Sequence, residues 1–229
     1  MSNRVAVVIY HRNIFTKYDP EWTYNCIEKI KEQTYKDFSI VELNFGGDGT
    51  VVYQGERPHH FYSEKIDNLG QAINRAFDIC FRELNFDLAF NINLDDDYDT
   101  SRFELQLECL RRTGADVVTS NFKFVDQNLN GNATTQFCIG VHDILEQNRI
   151  IDMQFSIGNN IIGFPVCLFT RNFWIGNDGL PSKDSSKGRE DFDLWIDARR
   201  RGYKFYIMEK LLFKYRVHNN SISKRVNDL

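Results

Sequence analysis

Three consecutive aspartates, Asp95, Asp96 and Asp97, stand in the stretch LAFNINLDDDYDTSRFE, where an apolar strand pattern gives way to the start of a helix. Carboxylates this close repel and raise one another's pKa, so the cluster needs a cation, hydrogen bonds or bulk water to compensate it. Mg2+ and Mn2+ suit the task, because hard cations take carboxylate oxygens and share their remaining positions with substrate phosphates. The plainer reading is a solvated turn that caps the next helix through Asp99, Thr100 or Ser101. Further along, Glu190, Asp191 and Asp193 open the run EDFDLWIDARR, and His218 closes the run YRVH. Taken alone, these are acids at the favourable end of a helix dipole and a partly exposed histidine at a strand end.

The elements that must position these groups alternate. Arg4 to Tyr10 reads as a buried strand, Glu21 to Thr34 as a helix through Trp22, Cys26, Ile27 and Ile30, and Ser39 to Phe45 as a second strand ending in the turn GGDGT. Leu69 to Leu84 is helical, with Ile73, Ala76, Phe77, Cys80 and Phe81 on one face, and Asp87 to Leu94 is the strand that ends at the aspartates. TSRFELQLECLRR predicts another helix and ADVVTSNFKFV another strand. This alternation predicts a mixed, mainly parallel α/β sheet with helices on both faces, whose ligands gather at the carboxyl ends of the strands. In the second half, Asn128 to Thr134 predicts a hairpin. Ser156 to Trp174, punctuated by Gly158, Gly163 and Pro165, predicts extended segments, and Gly176 to Arg189 a loop with the character of a mobile lid. Glu190 to Arg201 reads as a helix and Lys204 to Val217 as a strand.

Length and composition bound the classes. The 229 residues fit one moderately large domain, 1–229, with 1–125 and 126–229 as its two halves. A formal net charge of −4 leaves no basic footprint for nucleic acid. No stretch approaches the ~20 apolar residues of a membrane span. The five cysteines form no CxxC pair and sit in apolar surroundings, as buried thiols of a reducing compartment would; a cytoplasmic protein is the expectation.

Four segments in order resemble the inverting nucleotide-sugar glycosyltransferases of family two, which have the GT-A fold: CIEKIKEQTYKDFSIVELN, NLGQAINRAFDIC, the aspartate cluster as a DxD motif, and Glu190-Asp191-Phe192-Asp193-Leu194 followed by YRVHNNSIS. The resemblance implies a single Rossmann-like domain that moves a sugar from a nucleotide-diphosphate sugar, UDP by default, to a carbohydrate hydroxyl, with Mn2+ or Mg2+ on the departing diphosphate. It implies Asp95 and Asp97 as metal ligands, Asp96 as either a ligand or a ribose or sugar contact, and His218 as a third ligand or a diphosphate contact. It implies Asp191 as the base that takes the acceptor proton, with Glu190 orienting the acceptor or the loop. An ordinary aspartate is a weak base, and burial that raises its pKa makes the role workable.

The donor pocket departs from that family. Asn44 and Phe45 stand where many members carry two aspartates, so Asn44 on a base edge, Phe45 stacked on the base, or Asp48 in the following turn is the expected substitute. His11 and Arg12, ahead of Asn13, replace the family's threonine and tyrosine, and Arg12 suits a phosphate. Asn68 opens the second segment on the donor side, with Ile73 in place of a common arginine and Arg75 displaced by two. Gly46, Gly47 and Gly49 match neither dinucleotide nor Walker spacing. His59 and His60 precede a short strand without metal spacing. Arg199, Arg200, Arg201 and Lys204 end a helix as solvated charge. The rival readings are a non-catalytic sugar or nucleotide binding module and a nucleotidyltransferase, whose glycine-rich basic signature near the first strand is lacking. Donor sugar, acceptor, linkage and oligomeric state are not written in these motifs.

Overall fold

The computed structural model describes residues 3–131, 133–181 and 189–218. In chain order they form β1 (Val5–His11), α1 (Ile14–Lys17), α2 (Pro20–Glu32), β2 (Ser39–Asn44), β3 (His59–Ser63), α3 (Leu69–Asp78) continued by a π-helical turn (Ile79–Glu83), β4 (Leu88–Ile92), β5 (Asp97–Tyr98) and α4 (Arg102–Thr113). They continue through β6 (Val117–Val125), α5 (Ile144–Ser156), a 3-10 turn (Phe164–Val166), β7 (Leu168–Thr170), α6 (Arg171–Asn177), α7 (Glu190–Arg200) and β8 (Phe205–Arg216).

One sheet runs in the order β3-β2-β1-β4-β7-β6-β8-β5. The pairs among β3, β2, β1 and β4 are parallel, as is β6 with β8, whereas β7 is antiparallel to both neighbours and β5 is antiparallel to β8. The two-residue period of the strands sorts their side chains into two cores. Ala6, Val8, Val41, Leu43 and Ala89 face a core shared with α3, α5, α6 and α7; Val5, Val7, Ile9, Leu88 and Phe90 face one shared with α2 and α4. Aromatic stacks pin each side, Phe77 on Trp174 at 4.2 Å and Phe90 on Phe103 at 4.1 Å between ring centroids.

Most helix starts carry a chemical reason. Asp19 accepts from the Glu21 amide ahead of Pro20, Asn68 from the Gln71 amide, Asp143 from the Glu146 amide and Thr170 from the Phe173 amide. Helix α4 ends on Gly114, whose φ of 63° is the left-handed stop that glycine accepts.

Three expectations need correction. The aspartates do not lead straight into a helix: Asp97 and Tyr98 pair with Lys214 and Phe213 as an edge strand, and α4 starts only at Arg102. The stretch from Ser156 to Trp174 is not a set of extended segments; only Leu168–Thr170 is a strand, flanked by the 3-10 turn and α6. Helix α6 buries Phe173 and Trp174 and, at seven residues, is too short to show helical periodicity. His59 and His60 lie within β3 rather than before it. Helix α5 had no sequence signal, because Leu145 and Met153 face outward, 59% and 57% exposed, and blur its polar face. The expected hairpin is present around Asp126 to Thr135, with left-handed backbone at Leu129, although residue 132 lies outside the described residues. The lid expectation for 176–189 falls largely on residues 182–188, which also lie outside them.

Gln33, the first residue of the QTY signature, is fully buried and ties α2 to α4. Its Oε1 accepts the Phe103 amide at 3.0 Å, while its Nε2 donates to the carbonyls of Asp99 at 2.8 Å and Lys29 at 3.2 Å. It supplies the cap that Ser101 does not, since the Ser101 side chain makes no capping bond. Gln33→Ala should therefore lower unfolding free energy by about 2–3 kcal/mol, the cost of stranding buried amide groups, seen as a lower urea midpoint at unchanged slope.

Candidate active site

The three aspartates meet a lysine, an arginine and a histidine of one strand end. Lys214, Arg216 and His218 recur every second residue along and just beyond β8, and they run antiparallel to the aspartates. Lys214 Nζ donates to Asp97 Oδ2 at 2.7 Å, the Arg216 amide donates to Asp96 Oδ1 at 2.9 Å, and His218 Nε2 lies 3.0 Å from Asp95 Oδ2. The Arg216 guanidinium turns back to the same segment: its Nε donates to the Asp95 carbonyl at 2.7 Å and its Nη1 to the Gln127 carbonyl. Asp95 pairs with His218 beside the buried Asp96, whereas Asp97 is taken by Lys214 on the β5–β8 edge.

Asp96 is the interior member. It is 2% exposed, and burial first, then the Asp95 charge, push its carboxyl well above the usual range against the pull of Arg216 and Arg102. Arg102 lies behind it, fully buried, its ring-like guanidinium 4.7 Å from the Tyr98 ring. Its Nε donates to Gln106 Oε1 at 2.9 Å and its Nη2 to the carbonyl of Asn91 at 3.0 Å, so the same side chain fixes the end of β4.

His218 is held by aromatic faces. Tyr18 and Trp22 place their rings 5.4 Å and 5.1 Å from the imidazole, and Arg216 lies 4.7 Å over Trp22. Such packing fixes the ring plane that presents Nε2 to Asp95. Sequence reasoning missed Lys214, Arg216, Arg102, Tyr18 and Trp22; the two-residue spacing of Lys214, Arg216 and His218 opposite three acids was the signal that could have found the first two.

The donor set can be tested against a divalent cation. Asp95 and His218 supply an oxygen and a nitrogen donor at one point, and Asp96 Oδ2 is buried with no hydrogen-bond partner, which fits a hard or borderline cation completed by phosphate and water. Among the described residues no group of three or more His, Cys, Asp and Glu side chains is arranged to hold a metal by itself.

The expected nucleotide residues divide. Arg12, Asn13, Thr16 and Lys17 line a cleft of about 330 Å3 at the end of β1. Arg12 Nη1 donates to the Asp67 carbonyl at 3.2 Å and its guanidinium lies 5.2 Å over Phe45, itself 6% exposed. Asn68 caps α3 nearby. Asn44 is fully buried, and both ends of its amide are committed to the turn: Oδ1 accepts from Gly46, and Nδ2 donates to Asp48 and to the Thr50 carbonyl. Gly46 fits closely there: a Cβ would lie 3.1 Å from Arg12 Cγ and 3.2 Å from Asn44 Oδ1. His11 is 3% exposed and turned away from the cleft, with Nε2 2.9 Å from Glu42 Oε1. Arg75 pairs with Glu64 and Glu83, and Ile73 is core.

Glu42 organises this flank. Its carboxylate also accepts the amides of Val52 at 2.6 Å and Tyr53 at 3.0 Å and lies 3.0 Å from His59. Burial opposes its charge, but the bonds from His11, His59, Val52 and Tyr53 outweigh burial and bring its pKa down to about 2.

On the other side of the sheet end, Glu190 and Asp191 open α7. Asp191 Oδ1 accepts its neighbour Phe192's amide at 2.8 Å, and Oδ2 accepts Asn160 Nδ2 at 3.1 Å. Burial raises its pKa to about 6, with Glu190 adding to the rise and the two hydrogen bonds opposing it. A carboxyl poised there is a proton acceptor near neutrality. Arg199 pairs with Asp152 and Arg201 Nη1 donates to the Gly176 carbonyl, so much of the basic run is structural.

No family profile matches the chain. The O-antigen biosynthesis glycosyltransferase WbnJ of Escherichia coli is 22% identical over 208 residues, covering 86% of this chain and 75% of that protein. The crystal structure of S. aureus TarS 1–349 superposes with a TM-score of 0.62 at 14% identity over 93% of this chain, and its complex with UDP-GlcNAc with 0.62 at 12% over 94%. The chain spans 60% of the first of these TarS structures and 59% of the second. The sequence likeness is thus to a glycosyltransferase, and the likeness to the TarS structures is one of fold.

The Glu42 network carries its own pH signature. A carboxyl lowered from 4.5 to about 2 on folding stabilises the fold fully above pH 4.5, and the contribution fades as the pH falls towards 2. Glu42→Gln should cost about 3 kcal/mol at neutral pH. Denaturant titrations at several pH values should show that deficit narrowing below pH 4.5.

Proposed function

We propose that this chain transfers a sugar with inversion from a nucleotide-diphosphate sugar to a carbohydrate hydroxyl. The observation that carries the reading is the meeting of Asp95 with His218, 123 residues apart in sequence, at 3.0 Å beside the buried Asp96. The name of WbnJ supports a role in glycan biosynthesis, and the TarS complexes with UDP and UDP-GlcNAc support a UDP-sugar as donor. The Arg12 cleft accepts the nucleotide side, with the Arg12 guanidinium available to phosphate beside Phe45. Asp95 and His218 would hold Mn2+ or Mg2+ with the donor diphosphate; the cation supplies charge stabilisation to the departing diphosphate.

The acceptor hydroxyl approaches the anomeric carbon from the face opposite the diphosphate. Its oxygen forms the new bond as the bond from the anomeric carbon to the diphosphate oxygen breaks, and the electron pair leaves with the diphosphate. Asp191 takes the hydroxyl proton. Its raised pKa makes it a stronger base than an ordinary aspartate while leaving it ionised at neutral pH. Glu190, its neighbour at the start of α7, orients the acceptor. The five cysteines are all buried free thiols, which supports a reducing compartment such as the cytoplasm. No helix of the described residues is long and apolar enough to cross a membrane.

Release of UDP from a panel of UDP-sugars with Mn2+ and carbohydrate acceptors tests the reading. Asp191→Asn should lower turnover by roughly 10²–10⁴-fold with donor affinity by calorimetry unchanged; undiminished turnover would remove the base assignment. The parent rate should rise with pH through about 6, where Asp191 loses its proton. Asp95→Ala should abolish Mn2+-dependent donor binding, and excess Mn2+ should not restore it.

A further inference from the structure

The segment between α5 and the 3-10 turn has no part in the family motifs, yet it delivers a side chain to Asp191. Ile161 and Ile162 are 4% and 3% exposed and anchor it in the core, while on the α5 side the Asn159 amide donates to the Gln154 carbonyl at 2.9 Å. Between these anchors stands Asn160. The Ile162 amide donates to its Oδ1 at 3.1 Å, and a backbone N–H accepts no other orientation of the side-chain amide than one with oxygen towards it. The opposite end of the amide, the NH2 group, is therefore turned to Asp191 Oδ2, 3.1 Å away.

We infer that Asn160 is a positioning residue for the general base: it holds the Asp191 carboxylate in one rotamer and stabilises its ionised form. The inference rests on the proposed role of Asp191. With Oδ1 committed to the Phe192 amide and Oδ2 to Asn160, the carboxylate cannot swing about its χ2 axis without losing a bond at each oxygen. Each oxygen keeps a second lone pair, so an acceptor hydroxyl can approach a carboxylate whose plane is already set. Among the described residues, the other charged or titratable groups facing Asp191 are Glu190 on α7 and the Cys167 thiol ahead of β7. Neither donates to the carboxylate in the way that Asn160 does. The Arg189 guanidinium lies over Phe192, 5.1 Å from its ring.

The test uses the full chain with its aspartate carboxyls labelled with carbon-13, the Asp191 resonance being assigned by its loss in Asp191→Asn. Removing a donor to the ionised form raises the carboxyl's midpoint, so Asn160→Ala should move the Asp191 titration up by about half a unit to one unit. Asn160→Asp, nearly isosteric but without the donor and with a second charge, should move it further. Asn160→Ser, which keeps a shorter donor, should lie between Asn160→Ala and the parent. An Asp191 midpoint unmoved in both Asn160→Ala and Asn160→Asp, with far-ultraviolet dichroism confirming the fold, overturns the inference. The rate of UDP release from UDP-GlcNAc with Mn2+ separates the two claims. A parallel shift of its acidic limb, with turnover of Asn160→Ala at pH 6 reduced about 2–5-fold and KM for the donor unchanged, supports both. A titration that moves while the rate profile stays fixed keeps Asn160 as the partner of Asp191 and removes Asp191 as the base.

Discussion

Everything at the sheet end depends on housing three adjacent carboxylates. The fold meets this by giving each acid a different neighbour, and all three neighbours come from alternate positions of one strand end: Lys214 for Asp97, Arg216 for Asp96 and His218 for Asp95. A buried arginine, Arg102, lies behind Asp96 and adds its field from the interior. The arrangement leaves the acids unequal. Asp97 is paired with Lys214 at the edge, Asp96 is withdrawn and destabilised as an anion by burial, and Asp95 is left with His218 at the sheet end.

The alternation of strands and helices and the place of the acids at a strand's carboxyl end were legible in the sequence because each rests on a short-range pattern. Buried parallel strands read as apolar runs, and acids after such a run mark a carboxyl end. Asp95, Asp191 and His218 were singled out by this route together with the family likeness. What escaped was set by partners far away in the chain. His11 looks like a donor contact until Glu42, 31 residues on and across the sheet, takes its Nε2. Asn44 looks like a base-reading amide until the turn it starts uses both of its ends. Lys214 and Arg216 look like solvated charges of a strand that fades into a polar tail. No local period reveals such pairings, since they depend on which strands become neighbours.

The same distinction separates the two roles that motif residues play. Gln33 and Glu42 sit in the stretch that resembles the donor-binding side of the family, but both are buried and speak to backbone: Gln33 caps α4, and Glu42 gathers the amides of Val52 and Tyr53. Their chemistry is polar because the groups they satisfy are polar, and a buried amide without a partner is costly. Asp191 is the opposite case. Its hydrogen bonds are too few to offset burial, and the residual mismatch is what lifts its pKa towards the range useful to a base.

The pairing of the aspartates with β8 also fixes an order of assembly. The carboxylates leave a ribosome more than a hundred residues before the cations that answer them, and β8 takes its place in the sheet between β6 and β5. Until then the nascent chain carries an open row of negative charge at the end of a half-built sheet. Completion of the fold and completion of the site are thus a single late event, and a chain stalled or cut short of Lys214 retains the acids without the scaffold that makes them usable.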